Sequence, residues 1–311
     1  AVLVLLQTCA VGCGGETPPK ADASPLTAGT SPNHFPTPER AVEVLMTATR
    51  DSDVPTLLAI FGADGREMFT SGDDVADRRT REVFKVAMEQ RWHLEETQSN
   101  GRQLIVGDEN WPFPVPIVRD REGWRFDTEA GKREVRARRI GRNELGAIGV
   151  CQTYVIAQRK YAGEARDDNP VGCYAQHVRS KPGKHDGLYW PAKPGEKRSP
   201  LGDLAAQAEA EGYNTTGSDQ GPRPFHGYLF RILTRQGPSA PGGERSYLVE
   251  GRMTAGFALV AYPVDYGNSG IMTFIVNHDG VVHEADLGPQ TLRVAAGIAA
   301  YDPDARFRPV D

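Results

Sequence analysis

Apolar residues recur along this chain with two different periods. From Thr37 to Gln90 they return every three or four positions, the spacing of helices that bury one face. Thr37-Pro38-Glu39 predicts a helix start, with Thr as the cap, Pro at the first helical position and acid in the first turn. Ala41, Val44, Leu45 and Ala48 form its core stripe. A second short helix is predicted over 53–61, ended by Gly62, and a third over 73–90 with Val75, Val83, Phe84 and Ala87 as its apolar side. After Trp92 the pattern becomes that of strands, at 93–96 and 102–106. Residues 111–118 alternate Pro with apolar residues and predict an edge strand or extended ribbon. The turn at 120–123 leads into Trp124-Arg125-Phe126.

The longest predicted helix, 134–162, stands between two halves of different character. Ala147, Ile148, Cys151, Tyr154, Val155, Tyr161 and Ala162 fall mostly on one face, while Arg136, Arg138, Arg139 and Arg142 load its start with charge that the helix dipole disfavours. Gly146 and Gly149 each cost about 1 kcal/mol relative to Ala inside a helix, so they predict close approach by another element. Beyond a loop-rich stretch at 163–200 and a short amphipathic helix at 201–211, the chain reads as antiparallel sheet. Strands are predicted at 228–233, 247–251, 257–263, 273–277 and 281–284. The last two flank His278-Asp279-Gly280, where Asp-Gly supplies the positive φ of a hairpin, and a closing helix is predicted over 291–300.

The pattern defines an α+β chain: amino-terminal helices with a curled antiparallel sheet, a long central helix, and a carboxy-terminal antiparallel meander packed on that helix. With 311 residues, two modest cores are a better expectation than one large one, divided as 34–133 and 134–311. Charged residues make up 25% of the chain and the net charge is only −5, which gives no electrostatic case for a nucleic-acid partner. The cations at 132–142 are a local cluster, read as a solvated or carboxylate-paired helix start.

The amino end changes the picture of location. Residues 1–6 are wholly apolar, there is no initial Met or basic stretch, and Ala10-Val11-Gly12-Cys13 follows; we read this as the end of a truncated secretory signal. It resembles a bacterial lipobox, with Ala10 in place of the usual Leu, which makes Cys13 the candidate lipidated residue; Cys9 is the weaker competitor. Residues 1–13 are then a signal remnant and 14–33 a flexible tether with too few large apolar residues to fold. Export and a lipid anchor place the protein in the periplasm or on the outer cell surface.

Candidate chemistry is sparse. In an exported protein Cys151 and Cys173 are a candidate disulfide, with a buried free thiol at Cys151 the alternative. Tyr266-Gly267-Asn268-Ser269-Gly270 is one residue off a nucleophile elbow and precedes a strand, so a tight turn is the better reading. The histidines are scattered without metal-ligand spacing, although His278 and His283 flank one hairpin. Asp167, Asp168 and Asn169 are the weak metal candidate, but calcium takes about six to eight oxygens, more than three consecutive side chains supply. No cofactor is expected. Arg142, Asn143 and Glu144 are placed to form a polar network at the junction of the halves, or a ligand site there. Tyr189, Trp190, Tyr262 and Tyr266 are candidate contacts for a partner.

Many segments, among them NWPFPVPIV, GWRFDTEAG, RRIGRNEL, GLYWP, SPLGDL, HGYLFRILTRQGPSAPGG and GFALVAYPVDYGNSGIMTFIVNHDGVV, closely resemble the bacterial envelope family known as domain of unknown function 2950. The resemblance covers residues 35–310 and implies an exported, often lipoprotein-like bacterial protein without an established activity. It also implies a calcium-like Asp/Gly run near Asp167, which Pro170 and Val171 interrupt here. Helices followed by a sheet ending in GWRFDT are similar to small cones of the nuclear-transport-factor-2-like kind. The carboxy-terminal half is similar to type IV pilin-like and pseudopilin-like heads, except that a whole domain precedes its helix and the helix starts with arginines. Together these readings point to a non-enzymatic binding or assembly module with an envelope protein partner. The alternative is a ligand-binding sensor with a pocket between its domains, and third comes an envelope hydrolase.

Overall fold

The computed structural model describes residues 32–70, 73–167, 169–192, 195–211, 213 and 224–310. The signal remnant with Cys13, nearly all of the tether, and Asp168 lie outside the described residues.

Three helices open the fold. Helix α1 (Pro38–Arg50) is capped by Thr37, whose hydroxyl accepts from Arg40 N at 3.1 Å, and it buries Ala41, Val42, Leu45 and Ala48. Helix α2 (Val54–Phe61) is capped by Asp53 and ends at Gly62, whose φ of +75° suits a residue without a Cβ. A 3-10 turn (Ala63–Phe69) follows, then α3 (Asp74–Gln90), capped by Asp73. Only Met88 of α3 is buried. The expected apolar side is therefore corrected: Phe84, Ala87 and Val75 are half-buried, and Val83 is 62% exposed.

Strands β1 (Trp92–Glu96), β2 (Arg102–Val106), β3 (Trp111–Pro112), β4 (Ile117–Arg119) and β5 (Trp124–Phe126) form an antiparallel sheet ordered β1-β2-β4-β5, with β3 also on β2. The prolines break the expected 111–118 ribbon into β3 and β4 because they cannot donate to a ladder. Phe61, Phe113 and Phe126 meet in the first core, with the Phe61 and Phe126 rings 5.1 Å apart.

Helix α4 (Thr128–Ala162) begins six residues earlier than its pattern predicts. Asp127 caps it through Ala130 N at 3.1 Å, and Glu129 occupies the first turn. Arg136, Arg138, Arg139 and Arg142 thus lie more than two turns in, beyond the reach of the terminal dipole, and the first turn itself carries Glu129 and no cation. Its inner stripe runs the whole length: Thr128 and Gly131 on the first core, Arg139 and Asn143 in the middle, then Ala147, Cys151, Tyr154, Gln158 and Tyr161 on the second core. The glycine expectation is corrected too. Gly149 faces open space and Gly146 only ordinary contact, whereas a Cβ on Gly131 would stand 2.6 Å from Val115.

The stretch expected to be loop carries one short parallel pair, β6 (His177–Arg179) with β7 (Gly187–Tyr189), before α5 (Gly202–Ala210). The second sheet contains β8 (Tyr228–Leu233). Two short ribbons follow, β9 (Arg235–Gln236) with β10 (Arg245–Ser246), and β11 (Leu248–Val249) with β12 (Arg252–Met253). The sheet resumes with β13 (Ala258–Pro263), β14 (Met272–Asn277) and β15 (Val282–Asp286), and α6 (Thr291–Ala296) then precedes β16 (Arg308–Pro309). Its order is β16-β15-β14-β13-β8, antiparallel throughout. Every residue of β13 is buried, as a central strand covered on both sides requires. In the β14–β15 hairpin the positive φ is at Gly280, +89°. Helix α6 stops short of residue 300 because Arg231 donates to the carbonyls of Ala295, Ala296 and Ile298 and so closes its last turn.

Cys151 and Cys173 are both free and buried, which corrects the disulfide. Burial pushes the Cys151 thiol up to about 12, so it behaves as a small core hydrophobe.

Candidate functional site

Where the two cores meet, one side of α4 is closed by polar contacts and the other is open. On the closed side Glu144 accepts from the backbone N–H groups of Ile271 and Met272 at 2.9 and 3.0 Å. Asn143 donates to Ser269 O at 2.9 Å. Gly227, at φ +72°, lies so close that a Cβ there would sit 2.7 Å from the Asn143 amide. Buried Arg139 donates to Asn268 and to Met68 O, tying the 3-10 turn to the turn before β14. Burial lowers the pKa of its guanidinium, against the pull of Asp77 and Asp265.

On the open side lies a cleft of about 980 Å³. Its walls are α3, the β2–β3 corner from Val106 to Trp111, and Arg142 with Gly146 on α4; Gln207, Glu211, Tyr213 and His226 close one end. A neighbouring hollow of about 570 Å³ shares Val75, Arg79, Val83 and Glu211 and continues it along α3. Most of the wall is apolar. Val83 and Val86 are 62% and 55% exposed, and Trp111 is 40% exposed.

The closed end is a polar cluster. Glu211, just past α5, contacts Arg79 at 3.2 Å and His226 Nε2 at 3.2 Å. Tyr213 donates to Asp73 Oδ2 at 2.6 Å, and the same carboxylate caps α3 through Ala76 N at 3.0 Å. His226 packs on Phe225, with ring centres 4.2 Å apart, at the left-handed φ of +49°, a region that histidine enters more readily than most side chains. Burial lowers the His226 pKa and outweighs the opposing pull of Glu211 and Asp73. Burial, reinforced by Asp73, raises that of Tyr213, so its hydroxyl is a donor and no nucleophile. The cluster can fix a polar group at the end of an apolar trough; its imidazole–carboxylate pair faces no activated nucleophile among the described residues.

The sequence candidates divide. Arg142 lies in the cleft, while its neighbours Asn143 and Glu144 serve the closed side. Tyr189 and Trp190 lie at the far end of α4: Tyr189 donates to Glu209 at 3.3 Å, and the Trp190 ring is 4.7 Å from that of His185. Tyr262 is buried in β13, and Tyr266 donates to Asp286 at 3.2 Å, so the four aromatics make no single surface. Asp167 accepts from His185, whose backbone N–H lowers its pKa, while Asn169 donates to Tyr161 at 3.1 Å; the two side chains face different partners. Among the described residues no group of three or more His, Cys, Asp or Glu is placed to hold a metal. Ser269 is fully buried, its hydroxyl exchanging hydrogen bonds with the Asp265 backbone, which is turn chemistry. His278 lies against Tyr247 and His283 against Tyr301.

Sequence reasoning missed Arg79, Glu211, Tyr213 and His226. Their only signal was His226-Gly227 before a strand, a pair that invites positive φ.

Fold and cleft together define an α+β protein whose two cores share one helix, with an open cleft beside it. The chain belongs to the family described as "Protein of unknown function (DUF2950)", which matches residues 32–310. No curated protein and no solved structure matches the chain, and neither a pilin-like head nor a nuclear-transport-factor-2-like cone is shown.

Proposed function

We propose that this is a non-enzymatic binding protein of the bacterial cell envelope whose ligand site is the cleft beside α4. The observation that carries the reading is the cleft's composition: about 980 Å³, lined by both halves of the chain, with exposed valines leading to a charged end. Such sites are concave, mostly apolar and furnished with a few polar groups. A ligand there touches α3, α4 and the His226 turn at once, so binding is linked to how the two cores sit on the shared helix, which is what a sensor needs.

The test uses Gly146, whose Cβ direction points at His226 across the cleft at ordinary contact distance. Gly146 lines the cleft and a Cβ there meets no clash, so Gly146→Leu places a branched side chain into the cleft beside His226. A panel of apolar and amphipathic compounds is expected to raise the melting temperature of the native protein saturably, and Gly146→Leu to abolish those shifts. Shifts that persist in the filled variant place binding elsewhere and refute the reading.

Assembly with an envelope protein is the second reading. It is favoured by Leu145 and Ile156, 73% and 65% exposed and eleven residues apart, hence on one face of α4. Cross-linking in cells, with Ile156→Asp as the control, separates it from ligand binding. Lipid anchoring through Cys13 belongs to either reading. Cys13→Ser is expected to release the protein from membranes, and unchanged fractionation would sink the anchor.

A further inference from the structure

Charge is arranged unevenly along the cleft, and that arrangement names the molecule it takes. We infer that the cleft binds an amphiphile with one acyl-like chain and one carboxylate, the chain along α3 and the carboxylate at Arg142; this rests on the cleft being the binding site proposed above. Arg79 is held by Glu211 at 3.2 Å. Arg142 lines the same cleft and has no hydrogen-bond or ion-pair partner among the described residues. An arginine fork left open beside an apolar wall suits a carboxylate, which it binds through two parallel charge-assisted hydrogen bonds. The wall itself, Val83, Val86 and Trp111, offers exposed apolar surface that a hydrocarbon chain would cover. At the rim near Trp111 stand Asp108 and Glu109, which repel an anionic head and so orient the molecule toward Arg142. A neutral chain gains the apolar contact alone, and a short carboxylate gains the cation alone.

Calorimetric titration of the full chain with decanoate, well below its micellar concentration, tests this against decanol and acetate. Decanoate is expected to bind one per chain and about ten-fold tighter than decanol, with acetate giving no saturable heat. Arg142→Glu removes the decanoate preference and keeps decanol binding; Val83→Asp weakens both. Both positions are exposed, so neither variant threatens the fold. Equal affinity for decanoate and decanol, or a preference retained in Arg142→Glu, overturns the carboxylate inference and leaves the cleft as a site for neutral ligands. Decanoate binding that ignores Val83→Asp overturns the placement along α3. No saturable binding of either chain overturns the inference, and the Gly146→Leu panel then decides whether the cleft binds anything.

Discussion

Arg142 and Glu144 are two residues apart on α4 and have opposite fates. Glu144 is consumed by two backbone N–H groups of the second half, and Asn143 beside it by Ser269, while Arg142 looks into the cleft with its donors unspent. A helix turns about 100° per residue, so consecutive polar residues face different surroundings. The run that reads as one network in the sequence is two devices: a clamp that fixes the halves on their shared helix, and a cation left for something else. Satisfied polar groups mark the joint, and unsatisfied ones mark the site.

Breaking the clamp should cost the most. Glu144→Ala strands two amides that a carboxylate now pairs, and a loss of about 2–3 kcal/mol is expected in urea unfolding. A loss below about 0.5 kcal/mol would mean that the clamp does not hold the halves. Next comes Gly131→Ala, whose Cβ would meet Val115 at 2.6 Å; overpacking there is expected to cost about 1–3 kcal/mol. Gly149→Ala, facing open space on the same helix, should instead gain up to about 1 kcal/mol by propensity. Equal signs for the two glycines would overturn the packing account.

The closed end of the cleft gives a pH signature. The folded-state pKa of His226 is depressed by burial, with Arg142 and Arg79 reinforcing and Glu211 and Asp73 opposing. Stability tied to neutral His226 is therefore present above the ordinary histidine value of about 6.5 and falls as pH drops below it, because the unfolded chain takes a proton that the folded one resists. Comparing urea midpoints at pH 7.5 and 5.5, the native chain should lose more than His226→Asn, which tolerates the positive φ. An equal loss would remove His226 from the account. The smallest stability effect belongs to Arg142→Gln, within about 0.5 kcal/mol of the native chain, since its side chain is exposed and unpaired.

Much of the fold was legible because local signals agreed with it. Thr37-Pro38, Asp53 and Asp73 announced three helix starts, and alternation with Asp279-Gly280 announced the β14–β15 hairpin. Family membership was legible in the ordered segments, and residues 32–310 bear it out. The first turns of α4 were not legible, because residues 128–133 carry no apolar stripe and the helix is anchored there by Asp127 and by Thr128 donating to Phe61 O at 2.7 Å. The apolar positions of α3 were legible as a stripe but not as a wall: periodicity says that Val83 shares a face with core residues, and only packing reveals that the first core leaves it uncovered. The cleft end was illegible for a related reason, since Asp73 and Arg79 at the start of α3 meet Glu211 and His226 from distant stretches that only tertiary structure brings together.

The most direct measurement is a methyl NMR titration of the native protein with decanoate, observing valine, leucine and isoleucine methyls. Saturable shifts are expected at Val75, Val83, Val86 and Val106 around the cleft, with Leu145 and Ile156 on the outer face of α4 unmoved. Shifts at Leu145 and Ile156 with the cleft valines silent would contradict this and hand the binding role to the outer face of the helix.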